Sequence, residues 1–231
     1  MNITLLPLRD GNKIPLLAFG TGTAWFNEVS NTDFNQNLVD LTKEEVGIAI
    51  QESGVPREKL FITNKAAQGM DDMPQRLSRV SKTNATRRDL IHIPFFAKPE
   101  ADFGREWKSM EEVKMAGKAR SIGVSNYLRS DVEATLRGAT IPPALSQNRN
   151  DIQVGSFKGL TPAFRAPDGP LRQPLARIAK AHDTTEAAVL INWIIQSIVV
   201  AVTTTTKPET LDEYAQDLKI KLTEDELWRE W

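Results

Sequence analysis

The chain has 231 residues, of which 40% are hydrophobic, and a formal net charge of −1 at pH 7. This length is enough for one domain with a substantial apolar core. Because basic and acidic residues nearly balance, no long-range field would draw the protein to nucleic acid or to an anionic membrane surface. We therefore expect neither as a partner.

The cysteine and histidine content narrows the chemistry further. The sequence has no cysteine and only two histidines, which excludes disulfides and thiolate nucleophiles and argues against a transition-metal site. No signal-peptide pattern is present, and the best apolar run, residues 189–195, is interrupted by Asn192. These features favour a cytoplasmic protein with no metal and no membrane span.

The N-terminal segment predicts a β-hairpin. Two short apolar stretches within residues 5–17 flank Asp10 and Gly11, a dipeptide that readily takes the positive φ angles of a tight turn. Residues 16–20 then form a continuous apolar run, which is typical of a strand buried on both faces.

Strand and helix patterns alternate after the hairpin. Thr42 and Glu45 form a capping box that opens a helix ending at Gly54. The further predicted strands are residues 60–64, 89–93, 121–124 and 198–203, and further helices are predicted from about Asp72, Trp107, Ser130, Leu171, Thr185 and Leu211. Such alternation predicts βαβ units with a parallel sheet. Because no internal repeat or linker interrupts it, we expect a single domain over residues 1–231.

Polar side chains follow the predicted strands where each strand ends. Lys65 follows one strand, His92 lies near the end of the next, and Ser125 and Asn126 follow the third. In an α/β barrel the carboxyl ends of the strands form the face that carries the site. The spacing therefore predicts that these side chains line one site.

The seven residues from Ser121 to Tyr127 resemble the Gly-Val-Ser-Asn-Phe signature of the aldo-keto reductases. Lys65, His92 and the segment Lys207-Pro208-Glu209 agree with the same family, so the resemblance covers nearly the whole length. It implies a (β/α)8 barrel whose lower end is closed by the N-terminal hairpin. Compared with the family, the chain is contracted around residues 27–42 and 148–158.

The resemblance also implies catalytic roles. In the family a Tyr protonates the substrate carbonyl while NADPH supplies a hydride, a Lys and an Asp tune that Tyr, and a His orients the carbonyl. Lys65 corresponds to the Lys and His92 to the His. The Tyr has no counterpart, because both tyrosines, Tyr127 and Tyr214, align elsewhere.

Two alignments remain open for the segment before Thr42. Either residues 38–41 begin a helix and the second barrel strand is deleted, or they form that strand and Asp40 takes the place of the catalytic Asp. Sequence likeness favours the first alternative. The second is favoured physically, because a missing strand would leave unpaired sheet edges.

The cofactor residues implied by the resemblance are partly retained. Ser125, Asn126 and Gln147 correspond to the trio that holds the nicotinamide amide, and Phe164 to the aromatic that stacks on its ring. Residues of the adenosine phosphate segment are Thr204, Thr205, Thr210 and Glu213. Thr204 and Thr210 replace the Lys and Arg of the family, so NADP binding is expected to be weak or lost.

Two functions of different classes follow. The first is an enzyme derived from the aldo-keto reductases that acts on a carbonyl-bearing small molecule, by weakened NADP-dependent reduction or by acid-base chemistry without hydride transfer. The second is a non-catalytic barrel kept for binding a ligand or a partner. Joint retention of the Lys, His and amide-binding residues favours the first, whereas the missing Tyr and the altered phosphate segment favour the second.

Overall fold

The computed structural model describes residues 4–20, 48–66, 87–91, 101–147, 155–157, 169–203, 205, 209–210, 213–214 and 218–228. Four of the predicted site residues lie outside these ranges: Asp40, His92, Phe164 and Thr204. The chain falls into two compact units. One comprises Pro7–Ile14 and Asn27–Gln147, and the other comprises Met1–Leu6, Pro15–Phe26 and Asn148–Trp231. The single-domain organisation stays a prediction.

The predicted N-terminal hairpin is confirmed. Strands β1 (Leu5–Pro7) and β2 (Lys13–Pro15) form a two-stranded sheet. The turn between them contains Gly11 with φ of +81°, a conformation that glycine adopts without steric cost. Leu8 N donates to Asn12 O at 2.7 Å and closes the turn.

The first unit contains a four-stranded parallel sheet in the order β4-β5-β6-β7. Its strands are β4 (Ile62–Ala66), β5 (Arg87–Ile91), β6 (Ala119–Ser125) and β7 (Ser146–Gln147). Its helices are α1 (Ala101–Met115) and α2 (Arg129–Gly138), with residues 48–52 also helical and a 3-10 turn at Arg57–Lys59. The strand predicted at 60–64 is shifted by two residues, so Lys65 lies inside β4 rather than after it.

Strand β6 separates the core of this unit from its polar face. Ile122 and Val124 are fully buried and belong to one apolar cluster with Trp107 and Met110 of α1. Alternate residues of a strand point to opposite faces. The alternate positions of β6, which include Ser121 and Ser125, therefore face away from α1.

The hairpin is attached at the amino-terminal end of β6. Asn12 Nδ2 donates to Arg120 O and to Ser121 Oγ, both at 3.0 Å. Lys114 at the end of α1 donates to Asp10 Oδ2 at 2.7 Å. Burial would raise the pKa of Asp10, but hydrogen bonds from Lys114, Ser121 and Asn12 outweigh it and lower that pKa.

The second unit contains a three-stranded parallel sheet in the order β3-β9-β8. Its strands are β3 (Leu17–Phe19), β8 (Gly155–Phe157) and β9 (Val200–Thr203). Its helices are α3 (Arg172–Ala181), α4 (Glu186–Gln196) and α5 (Glu224–Trp228), and residues 209–210 and 213–214 are also helical. The helix from Leu211 was expected to be the last, but α5 follows it. Within the described ranges no helix is both long and apolar enough to cross a membrane.

Helices α1, α3 and α4 end in the same way, with a residue of positive φ followed by a backbone bond that reaches back five residues. The left-handed residues are Gly117, Asp183 and Ile198, and the bonds are Lys118 N to Val113 O, Thr184 N to Ala179 O and Val199 N to Ile194 O. This is the Schellman motif. It corrects the predicted strand at 198–203, which begins only at Val200 because Ile198 belongs to the helix end.

Candidate active site

The strand register brings Lys65, Ser125 and Gln147 to the carboxyl end of the sheet. Lys65 lies opposite Leu90 of β5, which lies opposite Gly123 of β6, and Ser125 lies opposite Gln147 of β7. Partners in a parallel register point to the same side, and residues two apart in a strand do so as well. Lys65, Ser125 and Gln147 therefore share the face opposite α1.

Ser125, Asn126 and Gln147 are joined by hydrogen bonds. Ser125 Oγ donates to Gln147 O at 2.7 Å, and Asn126 N donates to the same carbonyl at 3.2 Å. Asn126 Nδ2 lies 3.3 Å from Ser125 Oγ and donates to it. The structure thus brings the predicted trio together through the Ser125 and Asn126 side chains, the Asn126 N–H and the Gln147 backbone carbonyl.

The three residues differ in exposure. Ser125 is completely buried and Gln147 is 7% exposed, whereas Asn126 is only half-buried. Asn126 also has a φ of +58°, which its short amide side chain tolerates better than most residues. Asn126 is therefore the member best placed to meet a ligand, with Ser125 behind it. This conformation was not predicted, although an Asn directly after a strand is a signal for it.

Lys65 has an altered proton affinity. Its side chain is half-buried, and this burial lowers the pKa of its ammonium group from 10.5 to about 8. Removing a charged group from water disfavours its charged form. Lys65 is thus a stronger acid than an exposed lysine and still carries a proton at pH 7.

Both tyrosines of the chain pack into apolar clusters. Tyr127 is 3% exposed, and its ring meets that of Phe103 edge-on with centroids 5.6 Å apart. Burial, together with the charges of Glu106 and Asp131, raises the pKa of Tyr127. Tyr214 is half-buried against the cluster that contains Ile191, and burial with the charge of Glu213 raises its pKa as well. Both phenols are thereby made weaker acids.

The predicted phosphate-segment residues follow β9 in the second unit. Thr205 and Thr210 are half-buried, Glu213 is exposed, and Thr210 and Glu213 are helical. Thr203, the last residue of β9, accepts from Gly20 N at 2.7 Å and donates its hydroxyl to Ala18 O at 3.3 Å. These bonds tie the end of β9 to the end of β3.

The second histidine, His182, has a structural environment at the end of a helix. His182 follows α3, and its Nε2 lies 3.1 Å from both carboxylate oxygens of Glu226 in α5. Among the residues that the structure describes, no cluster of three or more His, Asp or Glu side chains could hold a metal ion.

The described donor set fits a carboxamide ligand. A hydroxyl oxygen that donates its proton still has two acceptor lone pairs, and Ser125 uses one of them for Asn126. The amide groups of Asn126 and Gln147 offer both donors and acceptors. Primary carboxamides, such as that of a nicotinamide ring, need this combination.

Comparisons with known proteins identify the family. The model of the aldo/keto reductase family matches residues 41–158. The chain is 30% identical over 245 residues to NAD/NADP-dependent indole-3-acetaldehyde reductase of Schizosaccharomyces pombe, covering 88% of this chain and 86% of the relative. It is 26% identical to NADPH-dependent alpha-keto amide reductase of Saccharomyces cerevisiae, covering 95% and 87%.

Solved structures show the same fold. An aldo/keto reductase from Brucella melitensis superposes with a TM-score of 0.78 at 22% identity, covering 98% of this chain and 97% of the other. An aldo-keto reductase of the silkworm, Bombyx mori, complexed with NADPH superposes with a TM-score of 0.76 at 20% identity, covering 98% and 86%. The chain therefore belongs to the aldo/keto reductase family and has its (β/α)8 barrel fold.

Proposed function

We propose that this protein reduces the carbonyl group of a small molecule with a nicotinamide cofactor, at a lower rate than family members that contain the catalytic Tyr. The observation that carries the proposal is the shared face of Lys65, Ser125 and Gln147 at the carboxyl end of the sheet. The relatives support it, since both named reductases act on carbonyl-containing compounds with NAD or NADP.

The proposal assigns further roles to residues outside the described ranges. His92 orients the carbonyl, Phe164 stacks on the nicotinamide, and Asp40 pairs with Lys65 if residues 38–41 form the second strand. His92 directly follows Ile91, the last residue of β5, and Ile91 lies opposite Ala66 at the end of β4. This adjacency in the chain supports the role proposed for His92.

The cofactor is proposed to bind weakly and with little preference between NADPH and NADH. Thr204 and Thr210 offer hydroxyls to a 2′-phosphate, but no charge-assisted bidentate contact. Such hydrogen bonds to charged groups contribute about 1.5–3 kcal/mol, so Thr210→Arg should restore preference for NADPH. Thr210→Gln is the matched control, because it adds length and an amide without charge. A strong NADPH preference of the unaltered protein would contradict this assignment and would indicate that Lys207 or Arg165, cations near this segment in the sequence, replaces the lost charges.

The deciding experiment combines binding and turnover. Purified protein is titrated with NADPH by nucleotide fluorescence, and oxidation of NADPH is then followed by absorbance with a panel of aldehydes, α-keto amides and diketones. Binding with carbonyl-dependent oxidation supports the proposed function. Binding without oxidation would favour acid-base chemistry without hydride transfer, and the absence of binding would favour a non-catalytic barrel.

A further inference from the structure

Reduction of a carbonyl needs a proton as well as a hydride, because the alkoxide that would otherwise form is a strong base. The chain has only two tyrosines. Tyr127 is buried against Phe103, and Tyr214 packs beside the cluster of Ile191. Since both phenols are part of apolar packing, the proton must come from another group.

We propose that the Lys65 ammonium group itself donates this proton, in place of a phenol. This inference rests on the proposed function and names the acid of the same site. Three observations carry it: Lys65 lies inside β4 near its carboxyl end, its side chain shares a sheet face with Ser125 and Gln147, and it is half-buried.

The charged residues of the neighbouring strand, β5, come before the partner of Lys65 in the strand register. Arg87, Arg88 and Asp89 of β5 are opposite Ile62, Thr63 and Asn64, before Lys65 in strand direction, and no other residue of β4 is titratable. Burial lowers the pKa of Lys65 to about 8. A general acid works best when its pKa lies near the working pH, and this value meets that condition.

The step balances without any further reactant. A bound reduced nicotinamide supplies the hydride. The carbonyl carbon gains a C–H bond while the π electron pair moves to the oxygen, and the oxygen takes a proton from Lys65 Nζ. The alcohol then leaves, and the neutral amine of Lys65 regains a proton from water.

The test distinguishes donation of a proton by Lys65 from a purely electrostatic effect of its positive charge. Lys65→Arg keeps a cation that cannot be deprotonated in a protein, whereas Lys65→Met keeps only the length. We expect both variants to bind NADPH, and both to lose at least about 100-fold in kcat/KM for carbonyl reduction, the range for loss of a general acid. Wild-type turnover should fall as the pH rises through about 8. The residual activity of the variants should not show this decrease.

A second readout needs no cofactor and no turnover. Lysines of the unliganded protein are dimethylated with isotope-labelled formaldehyde and titrated by NMR, and the resonance absent from Lys65→Arg is assigned to Lys65. A midpoint near 8 supports the proposal, and a midpoint near 10.5 would overturn it. Wild-type rates in Lys65→Arg would also overturn it.

The same measurements distinguish failure of the proposed function from failure of the proposal that Lys65 is the acid. If the wild-type protein does not bind NADPH, the function and this inference fail together. If NADPH binds and is oxidised with carbonyl compounds while Lys65→Arg is fully active, only the identity of the acid is wrong.

Discussion

The hydroxyl of Ser125 donates to the backbone carbonyl of Gln147 at 2.7 Å, across the gap between β6 and β7. Both residues were predicted to bind the nicotinamide amide, and both are buried. The bond fixes the end of β6, and the half-buried Asn126 extends from it in a left-handed conformation. We therefore expect Ser125 to influence a bound nicotinamide partly through Asn126.

Substitutions of Asn126 should separate its backbone role from its amide role. Asn126→Gly keeps the positive φ without strain but removes the amide, and Asn126→Asp keeps the shape but exchanges two donors for an acceptor. We expect both to weaken NADPH binding by about tenfold, equivalent to about 1.4 kcal/mol, with thermal stability retained. Fluorescence titration and a thermal melt measure the two quantities. Equal NADPH affinity in all three proteins would remove Asn126 from the site.

Lys65→Met should stabilise the protein at neutral pH while strongly reducing its activity. The pKa of Lys65 is about 8 when folded and 10.5 when exposed. Between these two pH values the unfolded state binds more protons than the folded state, so the free energy of unfolding rises with pH. Below about pH 8 Lys65 is charged in both states, and burial of this charge lowers the free energy of unfolding by a constant amount. We expect a gain of about 1–2 kcal/mol at pH 7, allowing for partial solvation.

The control for this prediction is Lys59→Met, because Lys59 is exposed. Denaturant melts between pH 7 and 10.5 should show the advantage of Lys65→Met shrinking as the pH rises, and no such trend for Lys59→Met. A constant difference across the range would show that the charge of Lys65 is not buried.

Asp10→Asn should loosen the hairpin without affecting the site. The carboxylate accepts from Lys114 Nζ at 2.7 Å, and its lowered pKa means that this stabilisation is present above about pH 4 and lost as the pH falls through the folded pKa. We expect a loss of about 1.5 kcal/mol at pH 7, measured by urea unfolding. NADPH affinity should not change, since the contact is at the amino-terminal end of β6. A double-mutant cycle with Lys114→Met checks that the loss belongs to this pair.

Ile198→Gly should stabilise the protein. Ile198 is 65% exposed and has a φ of +62°, a conformation that costs a β-branched residue about 1–2 kcal/mol and glycine almost nothing. We expect the free energy of unfolding to rise by only about 1 kcal/mol, because the entropy that glycine adds to the unfolded chain offsets part of the relieved strain. Gly117→Ala, at the equivalent position of α1 with no atom near the added methyl group, should lose a similar amount. The changes in melting temperature of the two variants should have opposite signs, and a Gly117→Ala variant that melts at a higher temperature would contradict this explanation.

The sequence by itself determined the elements and the residue types of the site. The apolar run ending in Ser125 and Asn126 predicted a buried strand, and β6 is that strand. The Asp10-Gly11 dipeptide predicted the hairpin turn, because turn chemistry is local. The boundaries of β4 and β9 were displaced, since apolar runs do not mark where sheet pairing starts.

Only the tertiary structure decided how the site residues interact. The bond from Ser125 joins residues that are 22 positions apart, and the face shared with Lys65 depends on the register of three strands. The lowered pKa of Lys65 and the packing of Tyr127 both result from burial, which many surrounding residues produce together. Residue types and local propensities are readable in order along a chain, whereas register and burial exist only once distant segments have packed.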